Sequence, residues 1–294
     1  MHGLIIVNQR LGHNAYKVKR FKEEFIKLGV SLDVFVNDGS RAVIRDGKVF
    51  IKLPKADFVI YLDKDLYFAK QLEKAGYRLF NKPDFMRLCD DKNLTNITLA
   101  NHGIRLPKTI SAPLFMDERL KKEHLTFLDS VIYELKLPVV IKRTFGSQGK
   151  GVMLANTKKE LISYYRKYCR EPLQFQEFIP SSAGKSLRVL IIGQKVVGGF
   201  LRFNKGDFRS NYGEAATSKK ARNCDNHFEF AQKIADLLKI EYAGIDIIFG
   251  YYGESFLCEI NSNAFFEEFE RVTRINVAKK YAQMVIRKIK KKDE

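Results

Sequence analysis

Short β-branched runs alternate with stretches of helical periodicity through the first 80 residues. Leu4-Ile5-Ile6-Val7 is too short and too branched for a helix and predicts a buried strand. Residues 16–28 place Val18, Phe21, Phe25 and Ile26 at helical spacing, and Gly29 ends that helix. Residues 32–36 predict a second strand, 43–51 a hairpin turning at Asp46-Gly47, and 58–62 a third strand. A helix over 66–75, closed by Gly76, and a strand over 77–80 complete the series. Such alternation implies a small, mostly parallel α/β layer. It contains no G-x-G-x-x-G, so nothing specific supports a dinucleotide fold.

Further along, residues 90–102 read as a helix ending at Gly103, 106–109 as an extended exit and 117–135 as a polar helix. Residues 137–142 are a β-branched run ending in Lys142. A glycine loop at 146–151, a strand at 152–155 and a helix at 157–168 follow. Strands are expected at 173–178, 187–192, 196–202, 245–249 and 256–260, and helices at 228–238 and 277–289. No internal repeat, low-complexity stretch or long linker interrupts the pattern.

Composition narrows the class. Of 294 residues 45% are apolar, enough for a sizeable core. No apolar run reaches the roughly 18 residues of a membrane span. The first residues lack the charged leader, longer apolar region and cleavage site of a signal peptide, so a cytoplasmic location is expected. Cys89, Cys169, Cys224 and Cys258 lack metal or redox spacing and read as reduced packing thiols. The histidines show no H-x-x-x-H, so a structural zinc site is not expected. Lys and Arg number 52 against 34 acidic residues, a net +18 that favours anions: phosphates, nucleic acid, acidic peptides or a ribosome surface. Lysines on solvated helix faces are the alternative, and residues 287–292 read as a frayed basic end. No nucleic-acid motif emerges.

Four groups of residues carry candidate chemistry. Lys142 at a strand end puts a point charge where a phosphate could lie, and the 146–151 loop lets backbone N–H groups approach phosphate oxygens. An exposed hairpin turn is the alternative. Gln176-Glu177-Phe178-Ile179 runs from a strand into a loop, where backbone groups could read an adenine edge between apolar walls; an ordinary core strand is the alternative. Asp246, Glu259 and Asn261 lie on late strands, the last two on one face because they are two residues apart. A hard cation suits such oxygens; buried polar groups satisfied by hydrogen bonds are the alternative. Arg188, Arg202, Arg209 and Asn211 could grip phosphate or carboxylate, or serve as surface ion pairs.

Taken in order, these segments resemble the ATP-grasp superfamily, and within it the α-L-glutamate ligase branch that includes ribosomal-protein glutamate ligases. The resemblance rests on Asp91-Lys92 with Thr95, 103–109, 138–142 with 146–152, 176–179 with 184–188, 207–211, 243–246, 259–262 and 273–278, spanning roughly residues 80–290. It implies an α/β (α+β) ATP-grasp fold. An N-terminal pre-ATP-grasp α/β domain would cover 1–84, a central lid subdomain 85–180, and a C-terminal subdomain with the Mg²⁺ site 181–294.

The resemblance also assigns roles. Lys92 and Lys142 would contact ATP phosphates, and Ser147, Gln148 and Gly149 would form the lid over them. Gln176, Glu177, Phe178 and Ile179 would hold adenine. Asp246, Glu259 and Asn261 would bind Mg²⁺ (Mn²⁺ as a substitute), as a pair of ions. Arg188, Arg202 and Arg209 would face the transferred phosphoryl group and the substrate carboxylate. The implied reaction is ADP-forming joining of a carboxylate to an amine through an acyl-phosphate, for example adding glutamate or another amino acid to an acidic small molecule, peptide or protein tail. Relatives of this kind are commonly dimers or tetramers, which implies a homo-oligomer. Nucleic acid would enter only through a ribosomal target.

Two positions depart from the family. Ser186 stands where an acidic residue usually helps hold ribose, and Ala264-Phe265 replaces a Pro-Gly after the metal-binding Asn261. A kinase on the same scaffold would use the same ATP groups and stop at phosphoryl transfer. A non-catalytic anion- or RNA-binding module would owe its affinity to the +18 charge alone.

Overall fold

A computed structural model describes residues 1–9, 11–114, 121–146, 149, 151–213 and 216–293. The apolar runs of the first 80 residues form a four-stranded parallel sheet. Its strands are β1 (His2–Asn8), β2 (Ser31–Asn37), β5 (Phe58–Tyr61) and β6 (Leu79–Phe80), in the order β2-β1-β5-β6. Helix α1 (Ala15–Ile26) follows β1, and α2 (Leu66–Lys74) follows β5. Between β2 and β5 lies the hairpin of β3 (Ala42–Arg45) and β4 (Lys48–Ile51). It turns at Asp46 (φ 51) and Gly47 (φ 68), a left-handed pair that a Gly at the second position makes accessible. Both sheet faces are buried, as parallel sheets require. Ile5 and Val7 meet Phe21, Phe25 and Phe58, while Leu4, Ile6 and Tyr61 meet Phe68 and Leu72.

The helix expected over 90–102 is α4 (Lys92–Leu99), shorter at both ends, and a helix not expected from the sequence, α3 (Pro83–Asp90), precedes it. Pro83 opens α3, where its missing N–H costs nothing. Asp91 breaks the run because its carboxylate caps α4 by accepting from Leu94 N at 2.9 Å.

A four-stranded antiparallel sheet follows, ordered β7-β10-β8-β9: β7 (Thr109–Ser111), β8 (Val139–Arg143), β9 (Val152–Ala155) and β10 (Leu173–Glu177). Helices α5 (Lys122–Leu135) and α6 (Lys158–Tyr168) cover one face, packing Leu128, Val131 and Tyr165 on Ile141 and Phe175. The expected start of α5, residues 117–120, lies outside the described residues.

The third sheet has the order β13-β12-β11-β14-β15 and is antiparallel throughout. Its strands are β11 (Lys185–Ile192), β12 (Lys195–Phe203), β13 (Thr217–Lys220), β14 (Tyr242–Phe249) and β15 (Ser255–Asn261). Helix α7 (Asp225–Leu237) packs on one face, where the core also takes in Cys89 of α3, Leu99 of α4 and Cys224. The other face meets α8 (Glu267–Thr273) and α9 (Val277–Asp293), in one core continuous with α1 and the parallel sheet. The polar strand β13 and the short helix α8 were not expected from periodicity. Residues 287–292, expected to fray, continue α9: Ile289 is buried, and Lys288 Nζ pairs with Glu241 at 2.5 Å. Among the described residues no helix is long and apolar enough to cross a membrane.

Candidate active-site cleft

The two antiparallel sheets face each other across a cleft whose wall includes Lys92, Lys142, Gly149, Gln176, Glu177, Phe178, Ile179, Ser186, Arg209, Asp246 and Glu259. Residues from eight segments of the chain thus converge on one space.

On the lid side, Lys142 lies on β8 and is buried. Its Nζ donates to Gln176 Oε1 on neighbouring β10 at 2.6 Å, and Gln176 in turn donates to Thr109 Oγ1 at 3.0 Å. Lys92 opens α4 and donates to Gly146 O at 2.9 Å and Thr144 O at 3.3 Å, so it holds the base of the glycine loop. Burial lowers the Lys92 ammonium; Glu259 opposes that effect and Lys142 adds to it. Two lysines held apart from bulk water at one end of a cleft form a site for a polyanion. Ser147 and Gln148, expected in the lid, lie outside the described residues.

At the strand exit, Glu177 is tied back: its Oε1 accepts from Lys108 N at 2.7 Å and its own N donates to Lys108 O at 2.9 Å. That anchoring presents Phe178 and Ile179 to the cleft. Val140, Ile248 and Phe208 complete an apolar slot, with Phe178 and Phe208 edge to face at 6.2 Å. Ser186 bonds Ser210 Oγ to Oγ at 2.6 Å.

The acidic end is built on β14 and β15. Asp246 stands opposite Arg188 on β11 and opposite Glu259 on β15. Arg188 donates through Nε and, at 2.6 Å, through Nη2 to the two Asp246 oxygens, and Arg202 Nη1 lies 3.3 Å from both. Burial raises the Asp246 carboxyl, but Arg188 and Arg202 outweigh it and hold it down at about 2. Asn261 donates to Glu259 Oε1 at 3.2 Å, so the two share a face as their spacing predicted. A bulge slips the register between Asp246 and Ile247, leaving Cys258 as the extra residue of β15 and turning it to the cleft. Burial pushes its thiol up.

Among the described residues no three His, Cys, Asp or Glu form a metal-binding group. The donor set for a cation is therefore two carboxylates and the Asn261 amide, hard oxygens that suit Mg²⁺ with its remaining positions filled from outside the protein. The lysines opposite suit a polyphosphate as that outside source. The donors fit the metal.

Arg209 bridges the two sheets' loops. It pairs with Asp207 at 2.7 Å, stacks 3.4 Å from the Tyr212 ring centroid and donates to Gly149 O at 2.9 Å. Arg188 and Arg202 contact Asp246, and Asn261 contacts Glu259, and both of those carboxylates line the cleft. Val140, Phe208, Ile248 and Cys258 also line the cleft and were not singled out from sequence. Val140 and Ile248 lie two residues from Lys142 and Asp246, so strand period alone would have found them. Cys258 faces inward only because of the bulge.

Residues 89–285 match a model of the RimK-like ATP-grasp domain. Human β-citrylglutamate synthase B is 28% identical over 275 residues, covering 90% of this chain and 69% of that one. A probable α-L-glutamate ligase of Parasynechococcus marenigrum is 31% identical over 225 residues, 75% of this chain and 46% of its own. The D-alanine–D-alanine ligase of Bacillus anthracis, solved with ATP, superposes with a TM-score of 0.74 at 15% identity, covering 99% of each chain, and so shares the fold.

Proposed function

Because the chain belongs to the RimK-like ATP-grasp family and is an ATP-using ligase of that fold, we propose that it joins a carboxylate to an amine through an acyl-phosphate, releasing ADP and phosphate. The observation that carries this reading is the Asp246–Glu259 carboxylate pair standing in the same cleft as Lys92 and Lys142, with an apolar slot beside them. An ATP polyphosphate with its cation fits between the two charged ends, and adenine fits the slot of Phe178, Ile179, Val140 and Ile248.

Lys92 and Lys142 hold the phosphates, and the loop at 146–151 covers them and excludes water. Asp246, Glu259 and Asn261 would hold Mg²⁺, as a pair of ions, which would supply neutralisation of the polyphosphate's charge. An oxygen of the acid substrate bonds the γ-phosphorus as the bond to the β-phosphate oxygen breaks, leaving ADP. The amine then adds to the acyl carbon, loses a proton and displaces phosphate. Arg202 and Arg209 stabilise the oxyanion of that step, and Arg188 keeps Asp246 ionised and oriented. The relatives' names support glutamate as the amine and a carboxylate-bearing small molecule or peptide as its partner. In this reading the segment 1–84 braces the substrate end, 85–180 carries the lid and 181–294 carries the cation.

The test is release of ADP and phosphate from Mg-ATP with a panel of amino acids, carboxylic acids, short peptides and total cell protein, beside the Glu259→Ala variant. Acceptor-stimulated release with amide formation, lost in that variant, supports the proposal. Nucleotide binding without turnover under every acceptor sinks it.

A further inference from the structure

The parallel sheet reverses its winding between β1 and β5, since β2 lies on one side of that pair and β6 on the other. In open α/β sheets the crevice at the carboxyl ends of such strands receives a ligand. Here it receives a loop from the far end of the chain. Asn263 donates from Nδ2 to Leu62 O, just past β5, at 2.6 Å. Asn14 reaches the same carbonyl at 3.4 Å, and its Oδ1 has no partner among the described residues.

Into this socket points Lys17 of α1, 1% exposed. Its Nζ donates to Asn263 O at 2.9 Å and to Asn263 Oδ1 at 2.5 Å, and lies 4.7 Å from the Phe265 ring centroid. No ion pair to it exists among the described residues. Burial, with Arg188 and Lys64 adding to it, pushes its ammonium well below the ordinary lysine value. A buried amine with no carboxylate partner among the described residues is a poor choice for stability. The loop it grips continues into the cleft's supporting wall. Ala264 and Arg188 crowd the same backbone site: a Cβ on Gly244 would come within 2.9 Å of Ala264 Cβ, Arg188 Cδ and Arg188 Nη1. Tyr242 donates its hydroxyl to Ala264 O at 2.7 Å, and Asn261 lies two residues before Asn263.

We propose that Lys17 is a positioning residue: through Asn263 it seats the 262–266 loop in the β1–β5 crevice and thereby aligns Arg188, Asp246 and Asn261 for the ligase reaction. The proposal rests on the ligase reading for its kinetic consequence, and on the socket alone for its structural one. The N-terminal layer is then part of the catalytic apparatus, with its ligand crevice converted into a mount.

Lys17→Met keeps the stem and removes the hydrogen-bond donor to Asn263. Its acceptor-dependent kcat is expected to fall about 100-fold, the scale of misplacement by about 1 Å. KM for ATP stays within about twofold, because the nucleotide's own contacts remain. Hydrogen exchange across 262–266 accelerates. Asn263→Ala gives the same kcat loss, and the double variant is no worse than either single one. Arg20→Ala is the structural control: it removes the 3.1 Å bond from α1 to Glu270 and leaves the Lys17 link intact. It lowers melting temperature without the loss in kcat. Multiplying effects of Lys17→Met and Asn263→Ala, an equal kcat loss in Arg20→Ala, or wild-type kcat in Lys17→Met each overturn the proposal. If Lys17→Met does not fold, Asn263→Ala against Arg20→Ala decides. If the wild type forms no amide with any acceptor, the ligase reading fails by itself, and unchanged exchange across 262–266 in Lys17→Met still overturns the socket.

Discussion

Arg188 and Asp246 face each other in register across β11 and β14 and form a two-point ion pair whose side chains are 8% and 5% exposed. The Coulombic gain of such a pair is spent largely on desolvating it, so its worth lies in what removal of one partner exposes. Asp246→Asn leaves Arg188 and Arg202 as buried cations without a carboxylate. Urea unfolding should show a loss of roughly 3–5 kcal/mol. Arg188→Met with Asp246→Leu should recover the part of that stability owed to Arg188, while Arg202 still lacks its partner, and should remain inactive, which separates the pair's structural cost from its chemical use.

The same carboxylate sets an acid limit. The Asp246 carboxyl is held at about 2 in the fold, below an ordinary unfolded value of about 3.9. A depressed folded pKa favours the folded state wherever the group is ionised in both states. Its contribution is therefore complete above about pH 4 and disappears as pH falls toward about 2. Unfolding free energy followed from pH 5 to pH 2 should fall less steeply in Asp246→Asn than in the wild type. Equal slopes would mean that other carboxylates govern acid unfolding.

Lys142 makes the charge-assisted bond to Gln176 at the phosphate end of the cleft. Lys142→Met preserves its stem in the strand and removes the ammonium. A hydrogen bond to a charged group is worth about 1.5–3 kcal/mol, so Mg-ATP should bind about 10- to 100-fold more weakly, and loss of the donor to buried Gln176 should also lower the melting temperature by about 2–4 °C. Unaltered affinity by calorimetry would move the phosphates away from Lys142.

Much of this was legible in sequence because it is periodic. Strands β1, β2 and β5 of the parallel layer announced themselves by β-branched residues, and Glu259 and Asn261 share a face because they are two residues apart. Features that depend on a local polar decision were not legible. Asp91 interrupts an otherwise helical run by capping the next helix. The bulge at Asp246–Ile247 turns Cys258 into the cleft, against strict alternation. Strand β13, Thr217–Lys220, carries no apolar pattern at all and is defined by its pairing with β12. The contact of Lys17 with Asn263 joins residues 246 positions apart, a distance no local pattern spans. The arginines were legible as chemistry but not as geometry: only the register of β11 on β14 commits Arg188 to Asp246.

Gly184 links strand β11 to the segment that carries Arg209. Its N–H donates to Phe208 O and its carbonyl accepts from Asn204 N, both at 2.8 Å, with φ at 64°. A Cβ there would lie 2.1 Å from Asn204 O and 3.0 Å from Asp207 O, both rigid backbone atoms. Gly184→Ala must therefore strain its own backbone and push the 204–209 segment outward. The strain alone costs roughly 1–3 kcal/mol. The displacement carries Arg209 away from Gly149 O, so lid closure should weaken beyond what the stability loss explains, seen as a raised KM for ATP at a temperature where the variant is fully folded. Gly206→Ala is the matched control, because a Cβ there meets only Asn204 Oδ1 at 3.8 Å. It should change neither melting temperature nor KM. Were the two variants to behave alike, the 204–209 segment would have to yield freely, and Arg209 could not be held to the lid by the backbone that Gly184 anchors.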